Sequence, residues 1–563
     1  MQGRLLDWLV ERGDLLPAEA ERLRREQRCG GRPLRELLLE CSGVSEERLL
    51  EAQSAVFALP TVCLYAREIP PELPGLLRPE LLRSHTVLPF ALDPAEGGTL
   101  CVAMNDPMNL RGRDLVEIAA RRPVRCYLAT TSDILIAIDR CCGSGELLEA
   151  AARFAAPETP QSPGEDAEVS RSPVVMLVRS LLEQAVRRRA SDIHIEPTAE
   201  ALRVRFRVDG VLRCVGSYDL RLLNAVVARV KILSGMDIAE KRRPQDGRFS
   251  AEVDRAAYDI RVSVLPTACG EKCVLRLAPK QFLRRSKESL GFAPEELRRF
   301  ARILSRPSGM VLVTGPTGSG KSTTMYAALS ELNREERNIV TVEDPIESRL
   351  DGVNQVQVNP RANLGFAAAL RAILRQDPDI IMIGEIRDGE TADIAIKASI
   401  TGHLVLSTLH TNDAASSVTR LLDMGVESYL IADAVSGVIA QRLVRRLCRH
   451  CRRPSAPTPG EAACLELDPE TAARTELYAP GGCPRCGGSG YYERVGVYEI
   501  MELTPALREM IVRRASTEAL RREAMRQGMQ TLAQSVRRLV LEGVTSVQEL
   551  RRVIAGEGVE PPA

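Results

Sequence analysis

The sequence lacks an excess of charge of either sign, and it lacks any long apolar run. It has 76 Lys and Arg residues against 75 Asp and Glu residues, for a net charge of +1. This balance argues against a general nucleic-acid coat, whose affinity needs an excess of cations. No apolar stretch reaches the roughly 18–20 residues that span a bilayer. Asp7 and Glu11 interrupt the apolar N-terminal segment, which is therefore not a secretory signal. We expect a cytoplasmic protein.

The chain is too long for one hydrophobic core. At 563 residues, length alone predicts three or four domains, and the hydrophobic fraction of 44% is ample for globular cores. Most of the 15 cysteines are scattered among apolar residues. We interpret those as small buried hydrophobes and not as disulfides.

The central motif is G-x-x-x-x-G-K-S. An apolar, β-branched run precedes it at 310–314, and a helix-forming run follows at 324–333, which is the context of a phosphate-binding loop. Lys321 can reach the β- and γ-phosphates of a nucleotide, and Ser322 can hold Mg²⁺ through its hydroxyl group. The predicted nucleotide-binding residues are Gly315, Pro316, Thr317, Gly318, Ser319, Gly320, Lys321, Ser322 and Thr323.

Three further apolar runs end in polar residues that we expect at the same edge of a parallel sheet. They run into Glu343, Glu385 and His410. Glu385 is the candidate for positioning and polarising a water molecule, because hydrolysis needs an oriented nucleophile. Glu343 could support the water shell of the metal or the same nucleophile. His410 could sense the γ-phosphate, and the alternative is a packed core histidine.

An upstream segment, 173–281, reads as an α/β domain whose strands carry arginines on one face. Arg261 and Arg276 project opposite to apolar neighbours in their strands. Such a face is either merely solvated or faces an anion, and both interpretations stay open on the pattern alone.

Two C-x-x-C pairs lie in the C-terminal third of the chain. Glycine-rich flanks permit the tight turns that direct sulfur atoms toward one point. We predict a structural Zn²⁺ site of four thiolates, with two reactive dithiols as the alternative. The predicted ligands are Cys448, Cys451, Cys483 and Cys486.

These patterns predict seven segments. They are an N-terminal helical docking module at 1–67, a second α/β module at 68–143, a flexible linker at 144–172, the arginine-bearing α/β domain at 173–281, an ATPase domain at 290–443, the four-cysteine insertion at 444–490 and a C-terminal helical region at 491–563.

The order of the motifs resembles one family closely. GPTGSGKSTT, TVEDPIE, IIMIGEIRD and TGHLVLSTLHTNDA, with ASDIHIEP upstream, are similar to the type II secretion and type IV pilus assembly ATPases. The resemblance implies a RecA-like P-loop ATPase domain preceded by a PAS-like α/β domain, helical N-terminal modules and a zinc-binding insertion. It also implies a homo-hexamer that uses ATP, Mg²⁺ and Zn²⁺, in which Arg261 and Arg276 act on the nucleotide.

The resemblance further implies a peripheral inner-membrane motor that assembles a type II secretion pseudopilus and so exports protein across the outer membrane. A type IV pilus assembly ATPase is the alternative, and a retraction or DNA-translocating motor and a nucleotide-gated scaffold are rivals. The expected partners are an inner-membrane platform protein and a membrane-anchored docking protein, with no nucleic acid. Some relatives bind cyclic di-GMP through paired N-terminal Arg-Leu-Gly motifs. Here those positions read Arg4-Leu5-Leu6 and Arg32-Pro33-Leu34, so we expect docking instead.

Overall fold

In the computed structural model, the described residues are 2–30, 34–41, 44, 46–64, 67, 69–70, 72–93, 98–131, 133–138, 141, 173–254, 256–279 and 287–556. The linker predicted at 144–172 lies outside them, as does Arg32 of the N-terminal motifs. The chain forms two compact units. The first is Met1–Ala278 with Cys483–Arg485, and the second is Pro279–Gly482 with Cys486–Ala563.

The α-helices and strands follow one another along both units. The helices are α1 Gln2–Glu11, α2 Pro17–Gly30, α3 Leu34–Cys41, α4 Glu46–Phe57, α5 Pro79–His85, α6 Leu110–Ala120, α7 Pro173–Arg187, α8 Leu223–Ser234, α9 Pro294–Leu304, α10 Lys321–Leu332, α11 Phe366–Ile373, α12 Gly389–Ile400, α13 Ala415–Asp423, α14 Ser428–Ala434, α15 Pro459–Leu465, α16 Pro469–Arg474, α17 Pro505–Val512, α18 Thr517–Arg526, α19 Leu532–Leu541 and α20 Val547–Gly556. The strands are β1 Val87–Asp93, β2 Thr99–Met104, β3 Val124–Leu128, β4 Ala190–Pro197, β5 Ala201–Val208, β6 Val211–Asp219, β7 Gln245–Val253, β8 Ala256–Thr267, β9 Gly270–Pro279, β10 Gly309–Thr314, β11 Ile339–Glu343, β12 Asn354–Gln357, β13 Ile380–Ile383, β14 Leu404–Leu409, β15 Val435–Leu447, β16 Arg453–Ser455, β17 Leu477–Ala479 and β18 Tyr491–Glu502.

The first unit begins with four helices whose leucines recur at helical spacing. Leu9, Leu23, Leu37 and Leu49 are fully buried and form one small core. A three-stranded sheet in the order β1-β2-β3 follows, with a second core of its own.

The same unit contains a six-stranded sheet in the order β6-β5-β4-β9-β8-β7. Its strands alternate between apolar and polar side chains, as a sheet with one covered face does. The helices α7 and α8 cover the apolar face with residues such as Leu181 and Val226, which pack with Val204 and Ile260. The opposite face carries the arginines.

The second unit is built on a seven-stranded sheet in the order β12-β11-β13-β14-β10-β15-β18. The pairs from β12 to β15 are parallel, and β18 pairs antiparallel with β15. Strands such as β10 and β14 are buried at every residue, because helices cover both faces of the sheet. The carboxyl ends of the four central strands meet at one edge.

One element differs from the sequence prediction. The region from residue 491 was expected to be helical, but its first twelve residues form the strand β18. Residues 496–501 of this strand are consecutively buried, because it pairs with β15 and extends the central sheet. The expected helices begin only at Pro505, with α17.

Candidate active site

The predicted phosphate loop connects β10 to α10. Gly315, Gly318 and Gly320 have φ angles of 148°, 79° and 90°, a backbone region that disfavours a side chain. A Cβ atom at Gly315 would lie 2.4 Å from the carbonyl oxygen of Gln441, and a Cβ atom at Gly320 would lie 2.8 Å from Nε2 of Gln441. The glycines therefore permit both the turn of the loop and the close approach of β15.

Lys321 is the first residue of α10, and its side chain reaches back over the loop. Nζ donates hydrogen bonds to the carbonyl oxygens of Gly315 at 2.7 Å and Pro316 at 3.2 Å. Burial lowers the pKa of Lys321 to about 8, with Glu385 opposing the shift and Arg442 adding to it. The ammonium group is thus largely charged at neutral pH and lies beside backbone that is arranged to receive phosphate oxygens.

Glu385 and His410 meet at the carboxyl edge of the sheet. Glu385 lies two residues past β13, and His410 directly follows β14. Nε2 of His410 lies 3.1 Å from Oε2 of Glu385. Arg387 donates from Nε to Oε1 of Glu385 at 2.7 Å, and also from Nη2. Burial raises the pKa of Glu385, but the hydrogen bonds from Arg387 and His410 outweigh it, so the net shift is downward. This carboxylate is ionised at neutral pH, as a group that polarises water must be.

Glu343 has different surroundings. It is the last residue of β11 and is only 3% exposed. The hydroxyl group of Tyr326 donates to Oε2 at 2.5 Å, and Thr341 and Gln355 donate to Oε1 at 2.7 Å and 3.0 Å. Glu343 therefore joins α10 to the edge strand β12. Its role toward a metal or a nucleophile stays a prediction.

Hydroxyl groups join the phosphate-loop strand to the loop after β14. The backbone nitrogen of Thr411 donates to Oγ1 of Thr314 at 2.9 Å, and the two hydroxyl oxygens are 2.6 Å apart. The hydroxyl of Thr411 also lies 2.8 Å from that of Ser417, at the start of α13. Arg442 donates to Oδ1 of Asn412 at 3.0 Å. These bonds hold the segment around His410 against the phosphate loop.

Sequence reasoning missed three groups at this edge. Arg387 lies inside the motif IIMIGEIRD, two residues from Glu385. Thr411 directly follows His410, so its position was available from the sequence although its partner was not. Gln441 is one of several polar residues in β15, and only the pairing of β15 with β10 reveals that it lies beside the phosphate loop.

The predicted arginines lie on the polar face of the six-stranded sheet in the first unit. Arg276 donates from Nε to Oδ1 of Asp192 at 3.0 Å. Arg261 lies opposite Arg248 in the pairing of β7 with β8. The side chain of Arg276 remains largely exposed despite its ion pair. The action of Arg261 and Arg276 on a nucleotide stays a prediction.

Glu196 organises the cations in the middle of that face. Arg205 donates to both of its carboxylate oxygens at 2.7 Å, and Nζ of Lys272 lies 3.0 Å from Oε1. Burial raises the pKa of Glu196, but the hydrogen bonds from Arg205 and Lys272 outweigh it and lower the pKa to about 2. The face is therefore a network of ion pairs and not a row of independently solvated arginines.

The four cysteines of the C-x-x-C pairs come together. Their sulfur atoms all lie within 4.8 Å of one another, and the sulfurs of Cys451 and Cys486 are 3.8 Å apart. In a tetrahedral site with Zn–S bonds of about 2.3 Å, the sulfur atoms are about 3.8 Å apart. The cluster therefore fits the predicted zinc site, and the sulfurs would hold the ion as thiolates.

Residues 167–552, more than half of the chain, match the family described as Type II/IV secretion system protein. The chain belongs to this family. Residues 57–147 of this secretion ATPase also match the MshEN domain. The whole chain is 40% identical to the type IV pilus assembly ATPase PilB of Myxococcus xanthus, and the match covers 98% of each chain.

A second relative is the type II secretion system protein E of Pseudomonas aeruginosa. The identity is 49% over 386 residues, which cover 69% of the secretion ATPase and 76% of the relative. The solved structure of the Legionella pneumophila ATPase DotB superposes with a TM-score of 0.51 at 22% identity, over 71% of this chain and 98% of DotB, and so has the same fold. The chain is an α/β ATPase of the secretion family, as the sequence predicted, and the family implies the use of ATP and Mg²⁺.

In the part of the chain that the structure describes, no helix combines the length and the apolar character needed to cross a membrane.

Proposed function

We propose that this secretion ATPase is a hexameric motor that drives the assembly of type IV pilus subunits. The match to a pilus assembly ATPase over 98% of both chains supports this choice, because it includes the N-terminal residues. The sequence alone placed the type II secretion pseudopilus first; we place pilus assembly first here because of the length of this match. Secretion remains the second candidate, because the identity to a secretion protein E rises to 49% over its 386 matched residues.

The observation that carries an ATP-driven function is the convergence at the carboxyl edge of the sheet. Lys321 lies over the phosphate loop, and Glu385 pairs with His410 at the ends of the neighbouring strands. In our proposal the loop binds the phosphates of ATP, Glu385 orients the attacking water, and His410 contacts the γ-phosphate. Ser322 would hold Mg²⁺, which neutralises charge on the transferred phosphoryl group when bound.

We assign Arg261 and Arg276 the role of completing the site from the first unit. A guanidinium group stabilises the charge that develops on a phosphoryl group, and its planar fork suits phosphate oxygens. Arg276 is exposed and is held by Asp192, so its head group is available with a defined orientation. Hydrolysis would then depend on how the two units move, which is how a motor couples chemistry to work.

The remaining assignments follow from the family. We propose a homo-hexamer attached peripherally to the inner membrane, with a platform protein that receives the motion and a membrane-anchored protein that docks to the N-terminal helices. Four thiolates would hold a structural Zn²⁺. The match to the MshEN domain at 57–147 keeps cyclic di-GMP as a ligand to test by titration of the full chain.

The first experiment measures phosphate release by the purified hexamer carrying Glu385→Gln. We expect turnover to fall at least about a hundredfold while ATP binding is retained, because the carboxylate acts on the nucleophile. Glu390→Gln is the matched control, because it makes the same charge change in the first turn of α12, where Glu390 pairs on the surface with Arg371. Wild-type turnover of Glu385→Gln would remove Glu385 from its role.

The second experiment separates the two candidate systems. The full chain is used to capture the purified platform proteins of a type IV pilus and of a type II secretion system in detergent. Preferential capture of the pilus platform supports pilus assembly, and preferential capture of the secretion platform replaces it with the second candidate.

A further inference from the structure

The pairing of β15 with β10 places one glutamine beside the start of the phosphate loop. Thr314, the last residue of β10, lies opposite Ala440 on one side and Leu409 on the other. The next residue on β15 is Gln441, and His410 directly follows the end of β14. Gly315 therefore starts the loop between a residue already assigned to the site and one that has no assigned role.

Gln441 contacts the loop at both of its ends. Its carbonyl oxygen would lie 2.4 Å from a Cβ atom at Gly315, and its Nε2 would lie 2.8 Å from a Cβ atom at Gly320. A side chain at either position would collide with Gln441, so this close approach requires glycine at both Gly315 and Gly320. Gln441 is 2% exposed, so the surrounding residues fix the position of its side chain.

The side-chain oxygen of Gln441 forms a hydrogen bond with the helix that follows the loop. Oε1 accepts a hydrogen bond of 2.8 Å from Oγ1 of Thr324, which is fully buried in the first turn of α10. The carboxamide is thus held by Thr324 through its oxygen, and this bond presents the nitrogen to Gly320. The acceptor oxygen of the carboxamide is what Thr324 requires, and an apolar side chain of the same size would not supply it.

We propose that Gln441 is a positioning residue that fixes the phosphate loop in the conformation that binds nucleotide. It acts through Gly315, Gly320 and Thr324, and none of its atoms needs to touch the nucleotide. The inference rests on the proposed role of this loop in binding phosphates. A loop held in this conformation keeps its backbone N–H groups directed at one anion. Loss of the contacts of Gln441 should therefore weaken phosphate binding first.

The test uses the full-length ATPase with MgATP as the probe. Gln441→Met keeps the approximate size of the side chain and removes its hydrogen bond to Thr324. Thr324→Val removes the donor and keeps the shape, whereas Thr324→Ser keeps the donor. We expect KM for ATP to rise about tenfold in Gln441→Met and several-fold in Thr324→Val, with Thr324→Ser recovering most of the loss. The double variant Gln441→Met with Thr324→Val should be no worse than Gln441→Met, because both changes remove the same bond.

A purely structural role predicts a different result. It would lower the thermal midpoint of the nucleotide-free protein and the active fraction, while KM of the remaining enzyme stayed at the wild-type value. That outcome, or independent and additive effects of the two changes, would overturn the proposal. Lys321→Ala separates it from the proposed function. If Lys321→Ala keeps the wild-type KM, the loop does not bind phosphate; if it raises KM while Gln441→Met does not, only the role of Gln441 is wrong.

Discussion

The lowered pKa of Lys321 makes nucleotide binding depend on pH in a range where proteins stay folded. The ammonium group is present below its pKa of about 8 and is lost as the pH rises through that value. A bound triphosphate stabilises the charged form and raises the pKa, so binding above pH 8 must be accompanied by uptake of a proton. With a pKa of 8, the charged fraction of the free protein falls from about 0.9 at pH 7 to about 0.1 at pH 9. The apparent Kd should therefore rise about tenfold over this interval, or about 1.4 kcal/mol.

The assay is equilibrium titration of the full chain with an ATP analogue in EDTA at constant ionic strength, so that no metal ion titrates. Lys321→Arg is the control, because a guanidinium group stays charged throughout and reports only the ionisation of the ligand. Its affinity is expected to be weaker at pH 7 but flat between pH 7 and pH 9. A wild-type Kd that does not change over this range, or an equal change in Lys321→Arg, would refute the reasoning.

Three further outcomes follow from the described contacts. Tyr326→Phe should lower the free energy of unfolding by about 2 kcal/mol, since Glu343 loses a donor to a buried carboxylate, and chemical denaturation of wild type and variant measures it. Glu196→Gln should destabilise the protein at pH 7. The difference in stability between wild type and variant should vanish as the pH falls toward 2, because the lowered pKa of Glu196 contributes stability only while the group is ionised. A difference that persists at pH 2 would contradict this. The purified chain should contain about one zinc ion, and Cys486→Ser should lose it, as elemental analysis would show.

The sequence placed Glu343 and Glu385 at the same edge of the sheet with different roles, and the structure gives them different surroundings. Each follows an apolar run, but Glu343 is the last residue of its strand whereas Glu385 lies two residues beyond one. The pleat therefore sends Glu343 into the layer of α10, where Tyr326 meets it, and leaves Glu385 in the loop at the sheet edge. Sequence periodicity locates a strand to within a residue or two, and one residue of error decides which surroundings a side chain has.

The phosphate loop and the four cysteines were predictable, because each rests on local spacing and needs no knowledge of which strands pair. Gln441 was not predictable, since its role comes from Thr324, a hydrogen-bond partner 117 residues earlier in the chain. The strand β18 was missed for the same reason. Its conformation is set by its pairing with β15 across the cysteine insertion, and the helices that follow it supplied the dominant local signal.

The strand β15 links the phosphate loop to the cysteine cluster, yet the contacts between them argue that zinc loss stays local. Cys448 follows the end of β15, and Gln441 lies seven residues earlier, roughly 23 Å along an extended strand. Between them, Arg445 donates from Nε and Nη2 to Oε1 of buried Glu549 at 3.0 Å and 2.8 Å, and its guanidinium group lies 4.0 Å from the ring centre of Tyr491. If β15 frays from the cysteine end, the contacts of Arg445 with Glu549 and Tyr491 must break before the disorder reaches the phosphate loop. Chelation of zinc from the wild type should therefore lower the thermal stability and leave KM for ATP unchanged. Chelation of zinc from the variant Glu549→Gln should also raise KM. A rise in KM on chelation of the wild type would show that the strand transmits the disturbance directly.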